Sequence, residues 1–309
     1  RLGSVLLAAG TRITLKNLFS GVTVVIEEST VDALIENKSL VRSDDGNVFI
    51  GAGAATSLQK AVINNSGRVS ANRVTRRDGK ILLESSAITS SGILESTSQT
   101  GVGGTIQLSG DKIHLATGAI VNADGELGGG RIDIGGGWRG ESIGARPSAS
   151  AVLIDQDVEV TASAGSNGDG GRVVAWSDVN NLLSLTEVNG KLKARGGSVF
   201  GTGGQIETSG AQLKVDNAQI DTRAPQGATG NWLIDPTNIE IVAGSGDTPA
   251  NWQGSVIKAD TLAAALASNN VTVLTSNDGS ELGNIVVSSA LAWTSGNELT
   301  LNAHNNIAI

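Results

Sequence analysis

The residues that could do chemistry fall into a few local patterns. Asp155, Asp157 and Glu159 lie around Val158 and Val160, so at least Asp157 and Glu159 should point outward together. Paired exterior carboxylates are what acid/base cleavage of a polysaccharide, or calcium ligation, would need. No basic or aromatic subsite accompanies this stripe in the sequence, so the reading adopted is a solvated acidic turn. Asn167-Gly168-Asp169-Gly170-Gly171 has a calcium-loop composition without the tandem Gly-Gly-x-Gly-x-Asp register. It is read as a Gly/Asp turn. His114 alternates with Ile113 and Leu115 and should face solvent, and His304 follows the Leu299-Leu301-Ala303 pattern. Neither belongs to a Ser/His/Asp or paired-His arrangement. Gly101-Val102-Gly103-Gly104 opens a strand rather than a helix, so it lacks the dipole that would hold phosphate.

One basic cluster stands out: Arg68, Arg73, Arg76, Arg77 and Lys80. The cluster could contact a sulfated glycan or an acidic chain, with Arg73, Arg76 and Arg77 as the candidate contacts, but a solvated turn is the default reading. The five Trp residues, 138, 176, 232, 252 and 293, could stack on sugars, but packing at junctions and coil edges is the preferred role. No catalytic residue, metal ligand or cofactor site is expected.

Composition narrows the classes further. The 309 residues include 42 Gly and no Cys, Met or Tyr. Zero Cys removes disulfide scaffolds and thiolate chemistry, and two His leave little room for a histidine-built zinc site. The net charge of −8 argues against nucleic acid as a partner. No apolar run approaches the roughly 20 residues needed to cross a bilayer. The chain opens on Arg1 and stops within the pattern Leu299 to Ile309, and is read as an internal piece of a longer polypeptide.

The elements that must position these residues come from a repeat. Gly, any residue, then Ile or Val recurs at Gly3, Gly46, Gly79, Gly104, Gly130, Gly171, Gly204 and Gly283. Its third column is Val5, Val48, Ile81, Ile106, Ile132, Val173, Ile206 and Ile285. Its second is Ser4, Asn47, Lys80, Thr105, Arg131, Arg172, Gln205 and Asn284. Aliphatic beside polar in every copy means a strand with one dry and one wet face. A second phrase lies between copies, at Arg68-Val69-Ser70, Val121-Asn122 and Leu192-Lys193. A third strand-like run fits in at Lys112-Ile113-His114-Leu115 and Leu213-Lys214-Val215. The starting glycines lie 25 apart at Gly79–Gly104 and 26 at Gly104–Gly130. Short strands in repeats of that length specify an all-β fold, a three-faced parallel β-solenoid, with the Ile/Val column as its core. A propeller repeat would be longer and aromatic-rich, and a sandwich would not repeat one phrase eight times. The whole chain would make on the order of 10 to 12 coils. On this assignment Ile132→Asp should unravel coils while Arg131→Asp is tolerated.

Three stretches depart from strand patterning and are expected to be short external helices. They are Val31–Asn37 after a Thr30 cap, Ala54–Ile63, and Asp260–Ala267 after an Asp cap. They give helical insertions near 30–40 and 54–64. Three Pro residues, 225, 236 and 249, mark a junction. The organisation read is a β-helix block over 1–224, a junction over 225–255, and a helix followed by continuing β-helix over 256–309.

The junction carries Gly230-Asn231-Trp232-Leu233-Ile234-Asp235-Pro236-Thr237-Asn238-Ile239. This phrase resembles one common in bacterial filamentous haemagglutinin-like adhesins. The sequence after it is similar too, through Val271-Thr272-Val273, Leu291-Ala292-Trp293 and Leu299-Thr300-Leu301. So is the opening, Gly3-Ser4-Val5-Leu6-Leu7, Ala33-Leu34-Ile35-Glu36-Asn37 and Gly46-Asn47-Val48-Phe49-Ile50. The resemblance covers most of the chain and places it just after the secretion domain of such proteins. It implies a right-handed parallel β-helix, secreted or displayed on a Gram-negative surface. It implies export by an outer-membrane two-partner-secretion transporter through an N-terminal domain missing here. It carries over no catalytic residues.

The expected function is therefore mechanical: the shaft of a surface adhesin that mediates attachment or self-association. Its expected partners are the transporter, host or bacterial surface glycans or proteins, and further copies in a fibre through exposed strand edges. The alternatives are a glycan- or protein-binding module on a β-helix, the stalk of a contact-dependent inhibition toxin, and a polysaccharide-degrading β-helix.

Overall fold

The computed structural model describes residues 4–10, 12–18, 21–28, 33–53, 61–73, 79–244, 254–275 and 282–309. Within them the repeated phrase forms one ten-stranded parallel sheet, the first face. Its strands are Val5–Ala9, Asn47–Ala52, Lys80–Glu84, Thr105–Ser109, Arg131–Ile134, Arg172–Trp176, Gln205–Gly210, Asn231–Pro236, Asn270–Leu274 and Leu299–Asn302. Each strand is one winding on from its neighbour. Two seven-stranded parallel sheets complete the windings. The second face runs from Ala33–Asn37 to Gln212–Lys214 and the third from Leu40–Arg42 to Gln219–Asp221. The chain is a three-faced parallel β-helix, as the period-two columns require.

Register confirms which residues stack. Val48, Ile81, Ile106, Ile132, Val173 and Ile206 are paired in succession. Each is at most 1% exposed, so the column is a continuous dry ladder. Val69, Leu94, Val121, Val160 and Leu192 make a second ladder on the third face. One assignment moves. Ile285 pairs with Ile239 and Ile307 in a separate four-stranded sheet, and the next member of the first-face ladder after Ile206 is Trp232. The indole is fully buried and donates its Nε1–H to Thr208 Oγ1 at 3.0 Å. The Trp in the junction phrase is therefore a core residue that replaces an aliphatic rung.

The glycines explain how tight corners close. Gly79, Gly104, Gly130, Gly171, Gly204 and Gly230 sit where the third face turns into the first. There Gly130 N–H donates to Ala123 O at 2.8 Å and Gly171 N–H to Ala162 O at 2.7 Å. Backbones of successive windings press together at this corner. A Cβ on Gly130 would lie 2.1 Å from Gly104 O, and one on Gly171 2.0 Å from Gly130 O. Only Gly fits such an approach.

At two of the three expected helices the residues that are described form strands instead. Residues 33–37 and 61–65 are second-face strands, Ala33–Asn37 and Ala61–Asn65, paired in register. Ala33 and Asn37 are buried while Leu34 and Glu36 face solvent, the period of a strand. Ladder pairing has overridden the helix propensity of Ala, Leu and Glu. The inward Asn37 remains satisfied because its Nδ2 donates to Asn65 Oδ1 at 2.8 Å, and Asn65 Nδ2 to Ser90 Oγ at 3.0 Å. Residues 30–32 and 54–60, which hold the Thr30 cap, the start of the first stretch and most of Ala54–Ile63, lie outside the described residues.

The third helix forms, as Ala259–Leu266. Its N-cap is the extended Lys258, without a side-chain cap, and Asp260 lies inside the first turn, where it complements the dipole. It packs against the last third-face strand, Gln219–Asp221, so it covers the end of that face rather than the outside of the rod. Buried Asn269 ties the two together, donating to Ile220 O at 3.0 Å and accepting from Thr222 N at 2.8 Å. Ser295 and Asn297 cap the helix at Leu266 O, at 2.6 and 2.7 Å. Among the described residues it is the single α-helix, and no helix there is long and apolar enough to cross a membrane. An antiparallel hairpin, Arg12–Leu18 with Gly21–Glu28, leaves the first winding.

Candidate functional site

The structure disperses the residues that sequence patterning singled out. Of Arg73, Arg76 and Arg77, only Arg73 is described; it bridges to Ser98 in the next winding, with its N–H on Thr97 O at 2.8 Å. Arg76 and Arg77 lie outside the described residues. Arg68 forks onto Glu95, its Nε at 2.8 Å from Oε1. That ion pair holds the Glu95 carboxyl below its ordinary range against the opposing effect of burial. Lys80 lies on the first face, and burial lowers its pKa.

The acidic stripe is likewise partitioned. Asp155 accepts from the Thr117 N–H at 3.2 Å and lies 3.0 Å from His114 Nε2. Asp157 occupies a left-handed turn position at φ 65°. Glu159 pairs with Lys193 at 3.0 Å. His114 is thus on the wet side, as expected, but engaged. Asp169, from the Gly/Asp turn, accepts from both the N–H and hydroxyl of Thr202 at 2.7 and 2.9 Å, which lowers its pKa. It staples one winding to the next. Among the described residues no group of three or more His, Asp or Glu is arranged to hold a metal ion.

The most developed side-chain arrangement is one the repeat pattern concealed. Residues 135–149, between the fifth first-face strand and the next second-face strand, fold back over the outside of the first face. The outward column of that face is consequently dry: Asp133, Val174 and Glu207 are fully buried and Gln107 is 9% exposed. The strap contains a short 3-10 turn, Trp138–Gly140. Arg172 lies over the Trp138 ring, 5.9 Å from its centroid. Trp176 and Val179 pack beneath with Val174, a small apolar cluster outside the main core. Gly136 and Gly140 rest directly on Trp176.

Two buried carboxylates anchor the strap, and they differ. Asp133 accepts from Arg131 Nε at 2.6 Å and Gln107 Nε2 at 3.0 Å; Arg131 also reaches Glu141 on the strap at 3.0 Å. Glu207 accepts the Arg139 N–H at 2.9 Å and the Ser209 hydroxyl at 2.9 Å. Burial pushes Glu207 up to about 7, and Asp235 on the next winding adds to the rise. Arg139, which presents that N–H, sits at φ 52°. At its other end the strap donates Ala145 N–H to Glu84 at 2.9 Å, and its Ile143 O accepts from Ser109 Oγ at 3.0 Å. The arrangement is a clamp, with its carboxylates turned to backbone and side-chain donors rather than toward an open cleft. A sequence signal existed in Gly135-Gly136-Gly137-Trp138, an apolar ring within a glycine-rich insertion of the long repeat that runs from Gly130 to Gly171.

Fold and surfaces together define a class: a parallel β-helix whose windings carry a structural clamp. No family model matches the chain, and no curated protein matches it. Among solved structures it is similar to the HMW1 secretion domain from Haemophilus influenzae, with a TM-score of 0.57 and 26% identity. The match covers 75% of this chain, and the chain spans 57% of that structure. The likeness is to a secretion domain itself, whereas the sequence resemblance placed this chain after one.

Proposed function

We propose that the chain is the shaft of a large secreted, surface-displayed protein of the filamentous haemagglutinin-like adhesin type, exported by two-partner secretion from a Gram-negative cell. The observation that supports this is the uninterrupted ten-stranded first face, taken with the likeness to a secretion domain. Stacked windings convert chain length into reach, at about 4.8 Å per winding. Stability is then close to a sum of windings and their interfaces. The shaft performs no reaction; host or bacterial glycans and proteins are its partners, and further copies associate through strand edges.

The decisive experiment varies length. Removing whole windings outside residues 79–230 from the surface-displayed parent, which leaves the strap and the windings it clamps in place, should reduce attachment of cells while leaving binding of the soluble receptor unchanged. Loss of soluble binding would overturn the shaft reading. Release of reducing or unsaturated sugar ends, abolished by Asp157→Asn, would replace it with an enzyme.

A second reading, favoured by the solved neighbour being a secretion domain, gives this chain the surface that the transporter recognises. Fused ahead of a reporter, it should then send the reporter to the medium only when the outer-membrane pore is co-expressed. Periplasmic retention in both cases would remove that reading and leave the shaft intact.

A further inference from the structure

The loops that lead from the third face into the first carry an apolar stripe on their outer side. Leu127 N–H donates to Gly101 O at 3.0 Å and Asn167 N–H to Glu126 O at 3.2 Å, and Asn167 bridges to Phe200. Val102, Leu127, Asn167 and Phe200 therefore stand in one column, with one member on each of four successive windings. Val102, Leu127 and Phe200 are 44, 49 and 70% exposed, and Val199 beside Phe200 is 65% exposed. Apolar side chains aligned in this way form a patch, and a patch marks a contact surface where scattered surface residues would not.

The charges beside the stripe are sorted by winding. The third-face register continues into a second column, Asp124, Ser163 and Arg195, on successive windings. Asp124 and Glu126, on the Leu127 winding, are held by neutral donors. Asp124 accepts from the Thr161 hydroxyl at 2.7 Å and the Ser163 N–H at 2.6 Å, and Glu126 from the Ser166 hydroxyl. Toward Phe200 the sign reverses, because Arg195 and Arg223 share one carboxylate, Asp221, at 3.7 and 2.6 Å. Lys193 and Glu159 pair with each other at 3.0 Å. The stripe thus runs from an acidic winding, across Ser163 and Asn167, to a basic one.

We propose that this stripe joins two copies of the chain side by side and antiparallel, about a two-fold axis that crosses the rod at the Asn167 winding. Such an axis reverses the order of the windings and keeps the third-face side of one copy against the third-face side of the other. Leu127 then meets Phe200 of the second copy, Asp124 and Glu126 meet its Arg195, and the Asn167 amide meets its own mate. A parallel pair would set each winding against itself and turn Arg195 toward the first-face side of the other copy, leaving the carboxylates unmatched. Asp169 is also on the axial winding, but its carboxylate is turned along the rod onto the Thr202 N–H and hydroxyl, at 2.7 and 2.9 Å. Burial of the stripe supplies the affinity and the charges supply the orientation. The contact is lateral, uses no strand edge, and does not depend on the shaft reading. It is only about 14 Å long at about 4.8 Å per winding. That is short for a stable interface, so the pair is weak, with a Kd on the order of 0.01–0.1 mM.

The test is sedimentation equilibrium of the purified chain from about 1 μM to about 1 mM, with cross-linking of single-cysteine variants, which a chain without Cys makes unambiguous. The parent should populate monomer and dimer. Phe200→Ser should weaken the dimer at least tenfold. Glu126→Lys should also weaken it, by more at low salt than at high. Leu183→Ser, at an 85% exposed apolar residue on the corner between the first and second faces, should change nothing. A short bis-maleimide should join Asn167→Cys to its own mate. It should not join Val102→Cys, whose mates lie four windings apart, about 19 Å. A chain that stays monomeric throughout overturns the proposal. So does a dimer indifferent to Phe200→Ser or to Glu126→Lys, which would be held by strand edges instead. Cross-linking of Val102→Cys as fast as Asn167→Cys would overturn the antiparallel order.

Discussion

Glu207 is ionised at a cost, and removing its charge should stabilise the protein only at neutral and alkaline pH. The carboxyl is fully buried beneath the strap, and burial lifts it from 4.5 to about 7. Below pH 4.5 it is protonated folded and unfolded, so it contributes nothing to pH dependence. Between 4.5 and about 7 the unfolded chain gives up the proton while the folded one keeps it, and stability falls as pH rises. Above about 7 the loss is complete. The interval, at about 1.4 kcal/mol per pH unit, amounts to about 3 kcal/mol. In Glu207→Gln an amide oxygen can still accept the Arg139 N–H and the amide group can still meet Ser209, while the charge is gone. The variant should match the parent at pH 4 and exceed it by up to about 3 kcal/mol at pH 8. Urea unfolding followed by circular dichroism at the two pH values measures this. Hydrogen exchange at the Arg139 amide reports the strap itself, which matters because windings of a solenoid can open separately. An equal difference at pH 4 and pH 8 would refute the reasoning: the charge would then not be what the fold is resisting.

Other perturbations test the ladder. Ile132→Asp places an unpaired carboxylate in the dry column and should cost about 4 kcal/mol or more, visible as a large drop in melting temperature. Arg131→Asp, expected from sequence to be harmless, should instead cost about 3–5 kcal/mol, because it strips the cation from buried Asp133. Gln205→Asp, on the same wet column but exposed, should change the melt little. Gly171→Ala should cost about 2 kcal/mol or more, since its Cβ would meet the backbone of the previous winding. Asp157→Gly should stabilise by about 1 kcal/mol by relieving φ 65° at an exposed turn.

The ladder was legible because it is a nearest-neighbour property. Each Gly-x-Ile/Val phrase meets only the phrase before and after it, so column by column the sequence states its own register. What failed did so where a segment's partner lies outside that local grammar. Ala33-Leu34-Ile35-Glu36-Asn37 has helical composition and becomes a strand because Ala61–Asn65 is there to pair with it. Gly283-Asn284-Ile285 repeats the phrase but joins another sheet, because its partner is Ile239–Val242, a strand that already pairs with Ser255–Lys258 outside the first face. Arg131 shares a polar column with Gln205, yet the strap turns its surroundings from water into protein.

The strap also limits how far the solenoid can be treated as a one-dimensional stack. Hydrogen bonds at its two ends fall on Glu84 and Glu207, in first-face strands separated by three intervening strands. An ordinary winding couples only to its neighbours, and a defect can open one interface at a time. Here opening any of the five clamped windings strains contacts at the others, so this block should unfold as a unit while the terminal windings fray. A buried carboxylate poised near pH 7 sits at one end of that clamp. Cooperativity in this region therefore follows from a single insertion of glycine, tryptophan and arginine residues, and it would be lost by excising residues 136–147 even though every rung of the Ile/Val ladder stayed in place.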